Sequence, residues 1–386
     1  MRFGYTTGSC ATAAAKAAAI GLFTGNIPDE IEIDTPIGTK LKLKIHHMQL
    51  SADEATCAVQ KDAGDDPDVT NGCFVHARVE RNNTPEIEID GGEGVGRVTK
   101  PGLQVPVGHA AINPVPRRMI EGAVKEVIGN GCGLKIIISV PDGKALGEKT
   151  FNPKLGIIGG ISIIGTTGIV RPMSEDAFKT SLLCGLDIAQ GIGYETVVLV
   201  PGSLGERSFL NLFNIPKDQV IQISNFVGFM LTAAGQRNFK RIILAGHPGK
   251  LAKLLRGDFQ THSSVSRPAN DILIDIIEQK LQNRGLESGA GGQKTETRLP
   301  NAILNHLKEV STIEGIVELL REYKYLSIMD AVAEKVETKV LEFYRVKQPF
   351  PTLEVGVILF DMKGSIIGIS SSAQTWLDVT KTKLSS

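Results

Sequence analysis

The residues best suited to chemistry in this chain lie in a glycine-rich stretch at positions 159–174. Apolar β-branched residues lead into the bend Gly165-Thr166-Thr167-Gly168, and Ser174 opens a sequence that can start a helix. The pattern predicts strand, loop and helix, which is the shape of a ligand-binding turn in an α/β sheet. A structural glycine bend between core strands explains the same residues, so this stretch alone leaves both interpretations open.

A second group of residues that could bind a ligand is cationic. Arg97 and Lys100 follow a glycine-rich loop, and Arg117 and Arg118 lie in the first turns of a helix that Asn113-Pro114 should begin. Adjacent arginines near the positive end of a helix are costly unless acids or an anionic ligand compensate their charge. Ordinary solvation of scattered surface cations is the alternative.

Two glycine motifs fail the tests for nucleotide binding. Gly92, Gly94 and Gly96 have the spacing G-x-G-x-G, and prolines rather than a helix follow them. Neither Gly143-Lys144 nor Gly249-Lys250 has a glycine five residues before its own glycine. The sequence therefore contains neither the dinucleotide fingerprint G-x-G-x-x-G in its required context nor a P-loop.

The elements that must position these residues fall into two predicted domains. Residues 1–150 should form an α+β domain, with an alanine-rich helix at 11–22 capped by Thr7 or Ser9, followed by short alternating strands. From residue 151 onward strands and helices alternate, which predicts a parallel sheet covered by helices on both faces. The fold class is therefore α/β with an α+β N-terminal part.

The predicted parallel sheet has polar and glycine-rich turns after its strands. A strand at 196–200 leads to Gly202 and Glu206, and a strand at 241–245 leads to Gly246 and His247. Ligands of such sheets bind at the carboxyl ends of the strands. Together with the bend at 165–168, the sequence predicts three glycine-rich turns at one edge of the C-terminal sheet.

Composition limits the function classes. The chain has 386 residues, and its 42 lysines and arginines balance 42 acidic residues, so no overall basic charge predicts nucleic acid or an anionic membrane as partner. No uncharged apolar stretch approaches the roughly 20 residues that span a bilayer. Five widely spaced cysteines without a CxxC pair predict reduced thiols in a cytoplasmic protein. The acidic run 61–68 lacks calcium-loop spacing, and no metal site is predicted.

Several long motifs resemble one family. They are GYTTGSC at 4–10, GGEGVGRVTKPGL at 91–103, INPVPRRMI at 112–120, TFNPKLGIIGGISIIGTTGIVRPMS at 150–174, GHPGK at 246–250 and THS at 261–263. These motifs closely resemble the cobalt-precorrin-5B C(1)-methyltransferases of the anaerobic cobalamin pathway. The resemblance covers most of the chain, and His247-Pro248 departs from it where an aliphatic residue is expected after the histidine.

The resemblance implies transfer of a methyl group from S-adenosylmethionine, as cosubstrate, to carbon 1 of cobalt-precorrin-5B, giving cobalt-precorrin-6A. Cobalt then enters only as part of the tetrapyrrole substrate. The resemblance also implies an N-terminal domain similar to the second domain of a small-subunit ribosomal protein, covering residues 1–150, and a C-terminal Rossmann-like methyltransferase domain over 151–386. The oligomeric state stays open, with a homo-oligomer as one alternative.

The physical interpretation of the site follows from this substrate. Arginine is well shaped to hold the acetate and propionate side chains of a tetrapyrrole, so a substrate grip at the junction between domains is predicted. Its members are Arg97, Lys100, Arg117, Arg118 and Arg171. The predicted cofactor residues are Gly165, Thr166, Thr167, Gly168, Gly202, Glu206 and Gly246. His247 is the candidate base, with a positioning or structural histidine as the alternative.

Two other function classes are compatible with parts of the sequence. A nicotinamide-dependent precorrin reductase would share the Rossmann-like half, although the missing G-x-G-x-x-G counts against it. A non-catalytic tetrapyrrole carrier would keep the cationic grip and bind no S-adenosylmethionine. A titration with each cofactor distinguishes the three.

Overall fold

The computed structural model describes residues 1–129, 132–237, 239–287, 298–347 and 353–384. The chain divides into two compact units, Met1–Phe178 and Lys179–Ser386, called here the first and the second unit. Both combine helices with β-sheets, so the prediction of a mixed α/β protein is confirmed. Within the described residues, no helix combines the length and the apolarity that a membrane span requires.

The first unit is built on a five-stranded sheet of order β4-β5-β6-β9-β7, in which β7 and β9 are parallel and the other pairs antiparallel. Its elements are β1 (Gly4–Tyr5), α1 (Thr7–Thr24), β2 (Glu30–Asp34), β3 (Lys40–Lys44), β4 (His46–Leu50), β5 (Glu54–Gln60), β6 (Phe74–Asn82), β7 (Ile87–Gly91), β8 (Arg97–Val98), α2 (Pro114–Ile128), β9 (Gly133–Ser139), α3 (Gly143–Gly147), β10 (Ile157–Ile158) and β11 (Ile169–Val170). Strands β2 and β3, two of the predicted short alternating strands, pair as an antiparallel hairpin.

Helix α1 is the centre of the first unit. Its alanines are fully buried, since small side chains let the helix lie close to α2, β5 and β6. The predicted N-cap at Thr7 or Ser9 is wrong. Thr6 keeps an extended backbone and its Oγ1 accepts a hydrogen bond from the Ser9 amide at 3.2 Å, so the helix begins directly after it.

The glycine-rich stretch at 159–174 lies in the first unit. Strand β11 pairs with β1, the Gly8 amide donates to the Ile164 carbonyl at 3.0 Å, and the Ser9 hydroxyl donates to the Gly168 carbonyl at 2.7 Å. The expectation that this stretch belongs to the C-terminal sheet is therefore corrected. The boundary between the two units lies after Phe178, whereas the sequence pattern predicts a domain boundary after residue 150.

The glycine-rich loop after β7 has a packing explanation. A Cβ at Gly94, whose φ is +70°, would overlap the Val140 carbonyl oxygen. A Cβ at Gly143 or Gly160 would overlap the Gly94 carbonyl oxygen. Three backbone segments thus meet at distances that only glycine permits, which accounts for the loop without a ligand.

The second unit follows the α/β alternation predicted from the sequence. Its elements are α4 (Glu175–Ile192), β12 (Thr196–Val200), α5 (Ser203–Leu212), β13 (Val220–Gln222), α6 (Val227–Gly235), β14 (Arg241–Gly246), α7 (Pro248–Leu251), α8 (Asn270–Glu287), α9 (Arg298–Glu309), α10 (Ile313–Glu322), α11 (Ile328–Lys347), β15 (Glu354–Phe360), β16 (Ile366–Ile369) and α12 (Ser371–Leu384). Helix α4 crosses the division between the units.

The sheet of the second unit has the strand order β13-β12-β14-β15-β16. The first four strands are parallel, as predicted, and β16 is antiparallel to β15 at the edge of the sheet. Successive residues of β14 point into two separate apolar cores: Ile242 and Leu244 into one, Ile243 and Ala245 into the other. Both faces of the sheet are therefore buried by helices.

Candidate functional site

The strand order of the second unit predicts a ligand-binding crevice beside β12. In the sheet, β12 lies between β13 and β14, the two strands that follow it along the chain. The connection from β12 to β13 and the connection from β13 to β14 therefore run in opposite directions across the sheet. In open parallel sheets, ligands bind at the carboxyl ends of the strands at such a switch point. The candidate site is therefore the carboxyl edge formed by the turns after Val200, Gln222 and Gly246.

The turns after β12 and β14 pack directly on each other. The Lys250 ammonium donates to the Pro201 carbonyl at 2.7 Å, and a Cβ at Gly246 would lie 3.0 Å from the Pro201 ring. Burial lowers the pKa of the Lys250 ammonium, and the charge of Lys253 lowers it further. The predicted residue Gly246 thus has a structural reason to be glycine, since a side chain would separate the two turns.

The beginning of α5 offers room and hydrogen-bond donors at this edge. A Cβ at Gly202 would meet no atom of the described residues within 4 Å. The first amide groups of a helix have no acceptor within the helix, and this end carries the positive side of the helix dipole. Helix α5 starts at Ser203, so its amides point towards this edge. An anionic group would be favoured beside Gly202.

Glu206 bridges two strand ends of the same crevice. It lies in the first turn of α5, and its Oε2 accepts a hydrogen bond of 2.6 Å from Nε2 of Gln222 at the end of β13. The carboxylate is therefore held between the ends of β12 and β13. This is the region in which dinucleotide-binding sheets hold ribose hydroxyls.

His247 directly follows β14, with partners on both ring nitrogens. Nδ1 accepts from the Gly249 amide at 3.0 Å, so the proton lies on Nε2, which donates to Glu314 Oε2 at 3.0 Å. The imidazole thus caps α7 and holds a carboxylate from α10. This arrangement favours a positioning role over the predicted base, because both ring nitrogens are engaged by partners within the chain.

Glu314 is the residue at this edge that sequence analysis missed. Besides His247, its carboxylate accepts from the Met362 amide at 3.3 Å, so it links the turns after β14 and β15. Glu314 follows the N-cap Thr312 in the first turn of α10, a position that any helix start favours. The sequence therefore held no signal that distinguished it from an ordinary helix-initiating glutamate.

Two of the predicted substrate cations meet at the end of β7. Arg97 donates to Asp90 at 2.9 Å and to the Gly108 carbonyl at 3.2 Å, and Arg117 donates to the Ile89 carbonyl at 2.8 Å. Burial opposes ionisation of Asp90, but the hydrogen bond from Arg97 and the charges of both arginines outweigh it and lower the pKa of Asp90. The Asp90 carboxylate therefore compensates the positive charges of Arg97 and Arg117.

The other three predicted cations are dispersed within the first unit. Arg118 is exposed on α2, and Arg171 is exposed directly after β11. The stem of Lys100 packs on Gly156, and its ammonium lies 3.4 Å from the Lys154 carbonyl oxygen. The structure thus brings Arg97 and Arg117 together and leaves Arg118 and Arg171 accessible to a ligand.

The predicted cofactor residues fall into two sets. Gly202, Glu206 and Gly246 share the carboxyl edge of the second unit with His247. Gly165, Thr166, Thr167 and Gly168 lie in the first unit, where a Cβ at Gly165 would overlap the Thr6 side chain. Thr167 Oγ1 donates to the Ile169 carbonyl at 2.9 Å. The bend therefore packs on the start of α1 within the first unit.

No group of three or more histidine, cysteine, aspartate or glutamate side chains is arranged to hold a metal ion in the part of the chain that the structure describes.

Comparison with known proteins gives a consistent family. The family model described as CbiD matches residues 1–172, and the model described as CbiD, C-terminal domain, matches residues 295–371. A curated protein of Alkaliphilus metalliredigens, named Cobalt-precorrin-5B C(1)-methyltransferase, is 43% identical and the match covers 99% of this chain and 96% of that protein. Proteins with the same name from Klebsiella pneumoniae and Moorella thermoacetica are each 40% identical, and these matches cover 96% and 95% of this chain and 93% and 94% of theirs.

One solved structure is also similar in sequence. The 1.9 Å crystal structure of cobalamin biosynthesis protein (cbiD) from Archaeoglobus fulgidus is 28% identical and covers 67% of this chain and 81% of that chain, with a TM-score of 0.36.

Proposed function

The chain belongs to the CbiD family, and from that premise we propose that it methylates carbon 1 of cobalt-precorrin-5B, with S-adenosylmethionine as cosubstrate, to give cobalt-precorrin-6A. The observation that carries the proposal is sequence identity. Over nearly its whole length, the chain is 40% or more identical to proteins named Cobalt-precorrin-5B C(1)-methyltransferase. The chain is accordingly a C-methyltransferase of cobalamin biosynthesis. Incubation with both substrates should yield a tetrapyrrole heavier by one methyl group in mass spectrometry.

The carboxyl edge of the second unit fits S-adenosylmethionine. The space beside Gly202, the first amides of α5 and the Lys250 ammonium suit the methionine carboxylate. Glu206, held by Gln222, suits the ribose hydroxyls. This fit and the strand order support a Rossmann-like methyltransferase fold for the second unit.

The first unit carries the proposed tetrapyrrole grip. Arg118 and Arg171 are exposed and can bind acetate and propionate groups bidentately. Arg97, Lys100 and Arg117 already contact the chain, so they support that surface electrostatically. The sheet with α1 packed on it is compatible with the ribosomal-protein-like fold that the sequence motifs imply.

The chemistry places few demands on the protein. When bound, S-adenosylmethionine supplies an electrophilic methyl group on a sulfonium centre, so no protein nucleophile is required. The residues of the chain therefore act by holding and aligning the reactants and by excluding water. In this account the bend at 165–168 fixes the start of α1, because the Gly168 carbonyl accepts from the Thr6 amide at 3.1 Å and from the Ser9 hydroxyl at 2.7 Å.

We assign His247 and Glu314 a positioning role, and predict that His247→Asn and Glu314→Gln each weaken S-adenosylmethionine binding roughly 3- to 10-fold. The two residues act through one hydrogen bond, so the double variant should bind no more weakly than either single variant. Isothermal titration calorimetry measures all three. Glu318→Gln is the matched control, because Glu318 lies one turn further along α10 and pairs with Arg321 and Lys363, not with His247.

Kinetics of the same variants separate positioning from acid–base catalysis. A positioning role predicts that kcat changes little when both substrates are saturating. A fall in kcat of about 100-fold or more on His247→Asn alone would instead assign the imidazole the part of a general base.

We also propose a cytoplasmic location. All five cysteines are free thiols, and Cys10, Cys57 and Cys73 are buried. Burial raises the pKa of Cys73 to about 11, which keeps this thiol protonated and unreactive at neutral pH. These thiols fit a reducing compartment.

A further inference from the structure

Two neighbouring side chains of the second unit bury oxygen atoms that have no hydrogen-bond partner among the described residues: Gln260 Oε1 and Thr261 Oγ1. Thr261 is only 2% exposed. Folded proteins leave few such atoms unpaired, and each one calls for a water, an ion or a ligand. The remaining buried atom of this kind, Glu337 Oε2, belongs to a carboxylate whose other oxygen accepts from Ser372 at 2.7 Å.

The pair lies at the same carboxyl edge as the candidate site. The Thr261 amide donates to the Asn225 carbonyl at 2.9 Å, and Asn225 belongs to the turn that follows β13. Within that turn, the Ile223 amide donates to the carbonyl of Val200, the last residue of β12, at 2.9 Å. Gln260 and Thr261 therefore extend the wall of the crevice beyond β13, on the side where Gln222 holds Glu206.

The backbone around the pair is fixed from two sides. Lys253, itself 7% exposed, donates to the Thr261 carbonyl at 3.0 Å and to the Ser266 carbonyl at 2.9 Å. The Gly228 amide of α6 donates to the Phe259 carbonyl at 2.9 Å, and a Cβ at Gly228 would lie 2.7 Å from Phe259 Cβ. The backbone on both sides of the pair is therefore anchored, and the two side-chain oxygens are buried there.

We infer that Gln260 and Thr261 hydrogen-bond the nucleoside half of S-adenosylmethionine, an inference that rests on the proposed function. An amide oxygen only accepts, so Gln260 Oε1 requires a donor on the ligand, whereas the Thr261 hydroxyl can donate or accept. The ribose hydroxyls, the exocyclic amine of adenine and the methionine ammonium are such donors, and the position of the pair beyond β13 selects the nucleoside among them. In sheets of this kind the ribose lies at the end of the second strand, here β13.

The test is Thr261→Val, which keeps the shape of the side chain and removes its hydroxyl. The dissociation constant of S-adenosylmethionine in isothermal titration calorimetry should rise about 2- to 12-fold, as expected for one lost hydrogen bond. S-adenosylhomocysteine should lose the same factor because it has the same nucleoside. The Tm of the unliganded chain should stay equal or rise, since an unpaired buried hydroxyl is removed.

Two further variants complete the design. Gln260→Leu removes the amide oxygen and should also weaken both ligands. Thr232→Val is the control, because the Thr232 hydroxyl donates to the Gly228 carbonyl at 2.9 Å within α6, and it should leave both dissociation constants within about twofold.

If Thr261→Val bound S-adenosylmethionine as tightly as the unaltered chain, or if its unliganded form had a clearly lower Tm, the inference would be overturned. The proposed function would stand in both cases as long as the unaltered chain binds S-adenosylmethionine. If the unaltered chain bound neither ligand, the proposed cosubstrate and this inference would both be overturned.

Discussion

Replacing Gly94 with alanine is expected to lower the free energy of unfolding by roughly 2–5 kcal/mol. The backbone at Gly94 has φ +70°, which costs about 1–2 kcal/mol for a residue with a Cβ. The added methyl group would also overlap the Val140 carbonyl oxygen, and backbone cannot move aside as a flexible side chain can. Urea denaturation followed by circular dichroism measures the difference.

Gly108→Ala separates the two contributions. Gly108 has φ +87°, but a Cβ there would meet no atom of the described residues within 4 Å. The free energy of unfolding of this variant should therefore fall only by the cost of the backbone conformation, about 1–2 kcal/mol. Equal losses in Gly94→Ala and Gly108→Ala would contradict the close packing of the loop against Val140.

The second large effect concerns the tetrapyrrole. Arg118→Ala should weaken binding of cobalt-precorrin-5B roughly 10- to 100-fold, since a charge-assisted bidentate pair with a carboxylate is lost. Binding of S-adenosylmethionine should stay unchanged. Arg118 is exposed, so the unfolding free energy should also stay nearly constant. Absorbance titration with the corrinoid measures the first quantity and calorimetry the second.

A neighbouring cation on the same helix provides the control. Lys125 is exposed in the last turn of α2, two turns beyond Arg118, and Lys125→Ala removes one positive charge without removing a guanidinium. It should change corrinoid affinity by less than about threefold. Arg117→Ala should lose affinity as well, but it should also lower stability because Arg117 donates to the Ile89 carbonyl. Equal corrinoid binding by Arg118→Ala and the unaltered chain would remove Arg118 from the grip.

Several elements of both units could be predicted from sequence because their signals are local. Strand β12 is a continuous apolar run bounded by turn residues, and its observed bounds, Thr196–Val200, equal the predicted ones. Helix α2 of the first unit begins at Pro114, as the pair Asn113-Pro114 predicted. Such elements need no knowledge of their partners.

Pairing over long distances could not be predicted in the same way. The sequence of the two residues of β11 is typical of any short strand. Only the folded chain shows that they pair with Gly4 and Tyr5. The bend beside β11 was therefore assigned to the wrong sheet. The hydrogen bond between His247 and Glu314 spans 67 positions, and the unpaired hydroxyl of Thr261 is a property of burial. Neither leaves a pattern in neighbouring residues.

Isotope labelling shows whether the chain transfers a methyl group to carbon 1. The chain is incubated with cobalt-precorrin-5B and S-adenosylmethionine carrying a ¹³C-labelled methyl group, and the product is examined by NMR. The account predicts one labelled methyl group, attached to carbon 1. Recovery of unmethylated substrate from a folded chain that binds both compounds, or label at any other ring position, would contradict it.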